Sequence, residues 1–253
     1  MTQTADTAPA NGTPGPQPHG HGLVQRLLPG IAVQVERGYL VEIGSTREKL
    51  PGQGSTAVLA ELAAQLGLPF VTVDMDPANT DQARTDLAAF PGARAVTGRG
   101  EEFLASFEEP IVAAYLDAFD IQHGAHSEYR IDRYRRYLGT EITNAGSSAM
   151  HLACARALVP RMVDGGLIVI DDTWPDGTGY AGKGKEAVPA LMDSGFRIVA
   201  QTRTAIALQQ ATAARHRWPI WLLHRGAWLV RRARGPLRGA ARLSRRAGRS
   251  FGI

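Results

Sequence analysis

Short apolar runs alternate with longer stretches of helical periodicity from about residue 39 to residue 210. The runs predict strands at 39–43 (YLVEI), 69–74 (PFVTVD), 93–97 (ARAVT), 111–117 (IVAAYLD), 167–171 (LIVID), 196–202 (FRIVAQT) and 204–209 (TAIALQ). The first, fourth and fifth are almost wholly apolar, as suits parallel strands covered on both faces. Apolar positions three and four apart predict helices at 55–66, 80–89, 99–107, 147–163 and 184–194. Asn79 or Thr80 can cap the second helix, and Gly195 stops the last. Strands that alternate with helices imply an α/β, doubly wound, Rossmann-like sheet of seven strands with right-handed crossovers. Arg203 alone separates the last two strands. No crossover fits there, so that pair must be antiparallel.

The flanks read differently. Residues 1–21 are rich in Pro, Gly, Thr and Ala and have almost nothing to bury, so they are expected to be disordered, with no metal role for His19 and His21. An amphipathic lead-in, Leu23 to Leu28, then covers an edge of a domain expected to span residues 22–212. The net charge of +4 averages two unlike parts. Residues 1–214 hold 17 Lys and Arg against all 24 acids, a balance of −7; residues 215–253 hold 11 Arg and no acid. The tail from 213 to 253 combines those arginines with Trp218, Trp221 and Trp228. Such a segment suits the surface of an anionic membrane, a packing or homodimer contact, or, least well, nucleic acid. The single cysteine, Cys154, excludes a disulfide framework and a thiolate zinc cluster, and its apolar neighbours place it in the core. No apolar run is long enough to span a bilayer and no secretory leader is recognisable, so the expected location is cytoplasmic, or at the inner membrane face if the tail binds lipid.

The segment from Tyr39 to Asp76 carries the most chemistry. An apolar run ends in Glu42-Ile43-Gly44, passes through a loop rich in Gly and Ser, enters a helix, and is followed by a second run that ends in Asp74. Glycine lets the backbone approach a ligand, and a later carboxylate can accept hydrogen bonds from both hydroxyls of a ribose. An adenosine-containing cofactor fits that grammar. A second cluster is acidic: one strand ends in Asp117 and another in Asp171-Asp172. Strand ends lie about 5 Å apart, so three carboxylates can converge and repel unless a cation holds them or some are protonated. Oxygen-only ligands favour a hard divalent ion such as Mg²⁺. Beside them, Asp120, His123 and His126 are candidate proton acceptors. The segment 127–146 brings three Tyr and four Arg that can grip a saccharide or an anion, and Trp174 to Lys185 reads as a Gly-rich mobile lid whose Lys183-Gly184-Lys185 either touches substrate or lies on the surface.

Over about residues 36–210 the chain resembles the class I S-adenosylmethionine-dependent methyltransferases. Within them it is most similar to the metal-dependent O-methyltransferases of the macrocin and cephalosporin-hydroxylase-like group. That resemblance implies strand order 3-2-1-4-5-7-6 with the last strand antiparallel. It also implies a cofactor held by Glu42, Gly44, Ser45, Gly54, Ser55, Thr56, Asp74, Glu101 and Glu102. Which of Ser45, Gly54, Ser55 and Thr56 meets the methionine half stays open. A metal site of Asp117, Asp171 and Asp172 is implied, with Asp120 an alternative to Asp117. The expected activity is Mg²⁺-assisted methylation of a hydroxyl on a saccharide or glycosylated small molecule. An NAD-dependent oxidoreductase is the alternative, disfavoured by the terminal hairpin and the lack of a compact GxGxxG; nucleic-acid binding through the tail is another.

Overall fold

The computed structural model describes residues 19–34, 37–47, 54–124 and 126–211. The readings of the first eighteen residues and of the basic tail lie outside them. The chain begins with helix α1 (Gly20–Ala32), then strand β1 (Tyr39–Ile43), α2 (Ser55–Gln65), β2 (Phe70–Asp74), α3 (Pro77–Asp86) and β3 (Ala93–Thr97). It continues through α4 (Gly100–Ser106), β4 (Ile111–Leu116), α5 (Glu128–Leu138), α6 (Asn144–Leu158) and β5 (Met162–Ile170). A short hairpin, β6 (Thr173–Pro175) and β7 (Tyr180–Gly182), precedes α7 (Ala187–Asp193), β8 (Phe196–Gln201) and β9 (Ile206–Gln210).

Seven strands form one sheet in the order β3-β2-β1-β4-β5-β9-β8. Strands β1 to β5 pair in parallel, and β9 runs antiparallel to both neighbours, with Val169 opposite Ala207 and Ile198 opposite Leu208. The expected order and the antiparallel hairpin are both present. Core side chains lie on both faces of the sheet. On one face Val41, Val73, Leu116 and Ile168 pack with Leu104 of α4, Cys154 and Leu158 of α6, and Leu191 of α7. On the other, Leu40, Phe70, Tyr115 and Val169 pack with Leu23, Val24 and Leu28 of α1 and Leu59 and Ala63 of α2.

Local chemistry moves several expected boundaries. Helix α3 starts three residues before the expected position, because the Asp76 side chain accepts from the Ala78 amide and Pro77 sits at the first helical position. That arrangement caps the helix, in place of Asn79 or Thr80. Helix α6 also starts early, capped by Thr143, and Pro160 turns the chain out after Leu158. Residues 174–185 form a hydrogen-bonded hairpin and its return, not an open lid: Asp176 accepts from the Thr178 and Gly179 amides and turns the chain. The domain also starts earlier than residue 22. Gly20 is already helical and buried, and its amide donates to Asp171.

Helix α1 is integral to the core, since Leu23, Val24 and Leu28 are all buried against the sheet. The expected outcome of Leu28→Ala is a loss of about 2–4 kcal/mol in urea unfolding, from lost transfer energy plus the residual cavity. A helix merely lying over an edge would lose under about 0.5 kcal/mol.

Candidate active site

The site lies along the carboxyl ends of β1, β2 and β4, where the strand order reverses. At the end of β1, Gly44 has φ of +100°, and a Cβ there would come 2.5 Å from the carbonyl oxygen of Asp117. Only glycine lets the β1 and β4 ends close this tightly. Phe119 and Asp172, with φ of 41° and 42°, are the non-glycine residues of positive φ among those described, and both follow strands that end in the site. Left-handed backbone at such residues is strained and must be held by its surroundings.

Glu42 lies beneath the loop and not in a cleft. Its Oε2 accepts from the Thr56 hydroxyl, which in turn accepts from the Thr46 amide; Thr56 N donates back to Thr46 Oγ1. This knot ties Thr46, just after β1, to Thr56 in the first turn of α2, and it gives Glu42 and Thr56 a part in positioning both segments. Burial pushes the Glu42 carboxyl up to about 7.

A cleft of about 340 Å³ opens above β1, β2 and β3, within the size range of small-molecule sites. Gly44, Ser45, Asp74 and Met75 line it together with Gly98, Arg99, Gly100 and Glu101 and with Tyr129, Arg130, Arg133 and Tyr134 of α5. Asp74 accepts from the amides of Ser45 and Asp76 and from the Asn79 side chain, and burial raises its carboxyl to about 6. Arg133 pairs with Asp76 and lies over the rings of Tyr129 and Tyr137, so the Tyr and Arg face expected for 127–146 divides between this cleft and solvent.

A smaller pocket, about 160 Å³ and mostly polar, adjoins the cleft. Gly44, Ser45, Arg47, Asp117 and Arg130 line both. Asp117, Asp171 and Asp172 converge here as expected. A side chain expected near substrate or on the surface is buried among them instead: Lys183 Nζ is 2.5 Å from Asp117 Oδ1 and 3.0 Å from Asp172 Oδ2, and the residue is 1% exposed. Burial alone would lower its pKa, but the two carboxylates outweigh that and hold it above the ordinary lysine value. The Tyr115 hydroxyl lies 2.5 Å from Asp171 Oδ2 and 3.2 Å from Asp117 Oδ2; its one proton serves the nearer oxygen. Burial and then the Asp117 charge push Asp171 up to about 6.

This donor set does not fit Mg²⁺. The ion needs oxygen ligands in octahedral array at about 2.0–2.1 Å, whereas Lys183 takes the facing oxygens of Asp117 and Asp172, and Asp171 is engaged by Tyr115 and the Gly20 amide. Among the described residues no group of three or more His, Cys, Asp or Glu has a metal-binding arrangement.

The remaining candidates are placed unequally. Ser55 lines the smaller pocket, whereas Gly54, Thr56, Glu102, His123 and His126 line neither. Asp120 lines the smaller pocket but is bound at both oxygens by Arg47, at 2.9 and 2.8 Å. Burial would raise its pKa; the Arg47 hydrogen bonds and charge hold it well below the usual carboxylate range instead, which makes it a weak base. The ring centroids of His123 and His126 lie 4.0 Å apart with the planes tilted by 42°, and His126 Nε2 meets the Ile121 carbonyl. His19 and His21, expected to lie in an unstructured segment, line the smaller pocket because α1 brings its first turn to Asp171. Tyr115 was hidden in an apolar run, and Lys183 among glycines; neither position carries a local signal.

No protein-family model matches this sequence, nor does any curated protein. Among solved structures, the chain aligns with the carbon methyltransferase CurJ at 12% identity and a TM-score of 0.50, over 76% of this chain and 54% of that one. The fold is that of the class I methyltransferases. It also aligns with TrmN from Thermus thermophilus (13% identity, TM-score 0.45, 74% of this chain and 48% of that one). The TDP-rhamnose 3′-O-methyltransferase CalS11 of calicheamicin biosynthesis aligns at 13% identity and a TM-score of 0.47, covering 74% of this chain and 77% of that one. The chain thus spans about half the length of CurJ and TrmN.

Glu42 supplies a test of the loop knot. Its raised pKa means its contribution to stability is full below its ordinary value of 4.5 and is lost as pH rises through about 7. Glu42→Gln cannot titrate. The melting temperature of the wild type should therefore fall relative to that of the variant between pH 5 and pH 8, by the equivalent of about 3 kcal/mol at most. Asp74 and Asp171 titrate in both proteins, so the difference isolates Glu42. Parallel melting curves across that range would refute its burial as a carboxyl.

Proposed function

We propose that this protein transfers a methyl group from S-adenosylmethionine to a hydroxyl of a small polar acceptor, a saccharide or a glycosylated small molecule. The observation that carries this reading is the shared wall between a cofactor-sized cleft and a small polar pocket, formed by Gly44, Ser45 and Asp117. S-adenosylmethionine bound in the cleft would supply an electrophilic methyl on a sulfonium, a leaving group that needs no protonation.

The chain's own residues fit the two halves of such a reaction. Asp74 still has lone pairs for ribose hydroxyls beyond the three donors it accepts, and Asn79 beside it fixes the carboxylate's orientation. Met75 and the backbone of Gly98 to Glu101 offer a slot for a flat base. Gly44 and Ser45, on the shared wall, offer backbone and hydroxyl to the amino-acid end. The acceptor hydroxyl is a poor nucleophile, so it needs a partner for its proton. Asp117 is the favoured one, as it faces both spaces and is held in place by Lys183. Asp171 stands behind it through Tyr115, with a carboxyl near neutrality. A lining dense in donors and acceptors, with Arg47, Arg130 and Lys183 beside carboxylates, suits a polyhydroxyl acceptor better than an apolar one.

Calorimetric titration with S-adenosylhomocysteine tests the cofactor. The wild type should bind it and give no saturable heat with NAD. Asp74→Ala should weaken S-adenosylhomocysteine at least tenfold, about 1.4 kcal/mol or more. Undiminished binding by that variant, or preference for NAD, would overturn the reading. Transfer of labelled methyl to hydroxylated saccharides, assayed with the same protein, tests the acceptor class.

A further inference from the structure

We infer that Lys183 is the resident cation of the polar pocket: its ammonium occupies the place among Asp117, Asp171 and Asp172 that a divalent ion would take, so the pocket recruits no metal. The inference deepens the methyltransferase reading, on which it rests for the use of the pocket.

Three acids at neighbouring strand ends repel one another, which a cation among them relieves, and the Lys183 ammonium, 1% exposed, needs the carboxylates in its turn. Lys183 reaches Asp117 from a distance of 66 residues along the chain. Its position is built, not incidental. The β6–β7 hairpin folds back over the end of β5, and the Lys183 amide donates to the Asp172 carbonyl at 2.9 Å. Gly184 N is fixed by Thr173 Oγ1, itself buried. Gly182, with φ of +76°, has its Cα so close to that same Asp172 carbonyl that a Cβ would fall 1.8 Å from the oxygen. Backbone on both sides of Lys183 is therefore locked, and the side chain has one direction to go.

The carboxylates are arranged for an ammonium. Lys183 touches one oxygen of Asp117 and one of Asp172. Asp171, the third acid, is satisfied separately by Tyr115, the Gly20 amide and the Asp172 amide. An ammonium has three N–H donors; two serve the acids and one remains for an acceptor oxygen in the pocket that Lys183 lines. Charge compensation and orientation of the acceptor then come from one covalently attached group. Lys183 acts on Asp117 as a positioning residue, holding it at the shared wall.

The probe is Mn²⁺ alone, followed by its electron paramagnetic resonance signal, with S-adenosylhomocysteine affinity measured in parallel. Wild-type protein should bind no Mn²⁺ saturably at millimolar concentration, and its S-adenosylhomocysteine affinity should be the same in EDTA and in Mg²⁺. Lys183→Ala vacates the place and should gain saturable Mn²⁺ binding, at least tenfold tighter than any wild-type signal, while still binding S-adenosylhomocysteine. A purely structural lysine would not confer metal affinity on its removal. Lys183→Met, which keeps the stem, serves the same purpose if the alanine variant does not fold. Saturable Mn²⁺ binding by wild type would overturn the inference. So would a folded variant, with S-adenosylhomocysteine bound, that gains no metal. Loss of S-adenosylhomocysteine binding by wild type itself would instead sink the methyltransferase reading and leave the metal result standing.

Discussion

Mutual repulsion of carboxylates at the ends of β4 and β5 is the constraint around which the rest of this molecule is arranged. Asp117, Asp171 and Asp172 line one polar pocket, and two different devices answer them. Lys183 neutralises Asp117 and Asp172; Tyr115 and the Gly20 amide serve Asp171, which also rises toward neutrality because burial and its neighbour disfavour the charge. Those devices come from three separate parts of the chain. The lysine requires the β6–β7 hairpin, the amide requires the first turn of α1, and the tyrosine requires β4 to pass between them. Removing any one leaves a buried charge or polar group unpaired, which costs more than the lost contact itself.

The same economy explains why α1 belongs to the domain. Its apolar face, Leu23, Val24 and Leu28, covers the sheet above β4 and β5, and that packing delivers Gly20 and His21 to the pocket. Composition alone placed His21 in an unstructured segment, since the residues before it have little to bury. Burial of the residues just after it is what draws the first turn in. Where α1 begins is thus set by a tertiary contact, which periodicity cannot report.

Most of the architecture was legible because it rests on local rules. Apolar runs covered on both faces marked β1, β4 and β5; the single residue between the last two strands forced them antiparallel; Asp74 and Asp117 stood at strand ends where ligands gather. The parts that were not legible depend on long-range pairing. Lys183 lies in a run of glycines that reads as mobile surface, yet it is among the most buried large side chains. Asp120 stood at the spacing expected of a base, yet Arg47 from the β1 loop holds both its oxygens and depresses its basicity. Glu42 looked like a cofactor ligand, and its carboxyl is engaged by Thr56, which in turn holds the Thr46 amide. In each case the residue type was chemically informative, and its partner decided what the chemistry was.

That dependence on partners separates two kinds of acidic residue in this site. Glu42, Asp74 and Asp171 have carboxyls raised by burial, so they give up charge readily and favour hydrogen bonding with neutral donors such as hydroxyls. Asp120 is held by a guanidinium and keeps its charge, which makes it an anchor. Asp117 is placed differently: it is half-buried, faces both the cleft and the polar pocket, and one of its oxygens is held by the Lys183 ammonium. A carboxylate so placed is oriented by the ammonium while its other side stays open to whatever enters from either space. Orientation of this kind is worth more to a reaction between two bound molecules than basicity alone, because the barrier falls chiefly through fixed geometry. The shared wall is where that geometry is built, and its rigidity traces back to Gly44, the one residue type that lets β1 and β4 end so close together.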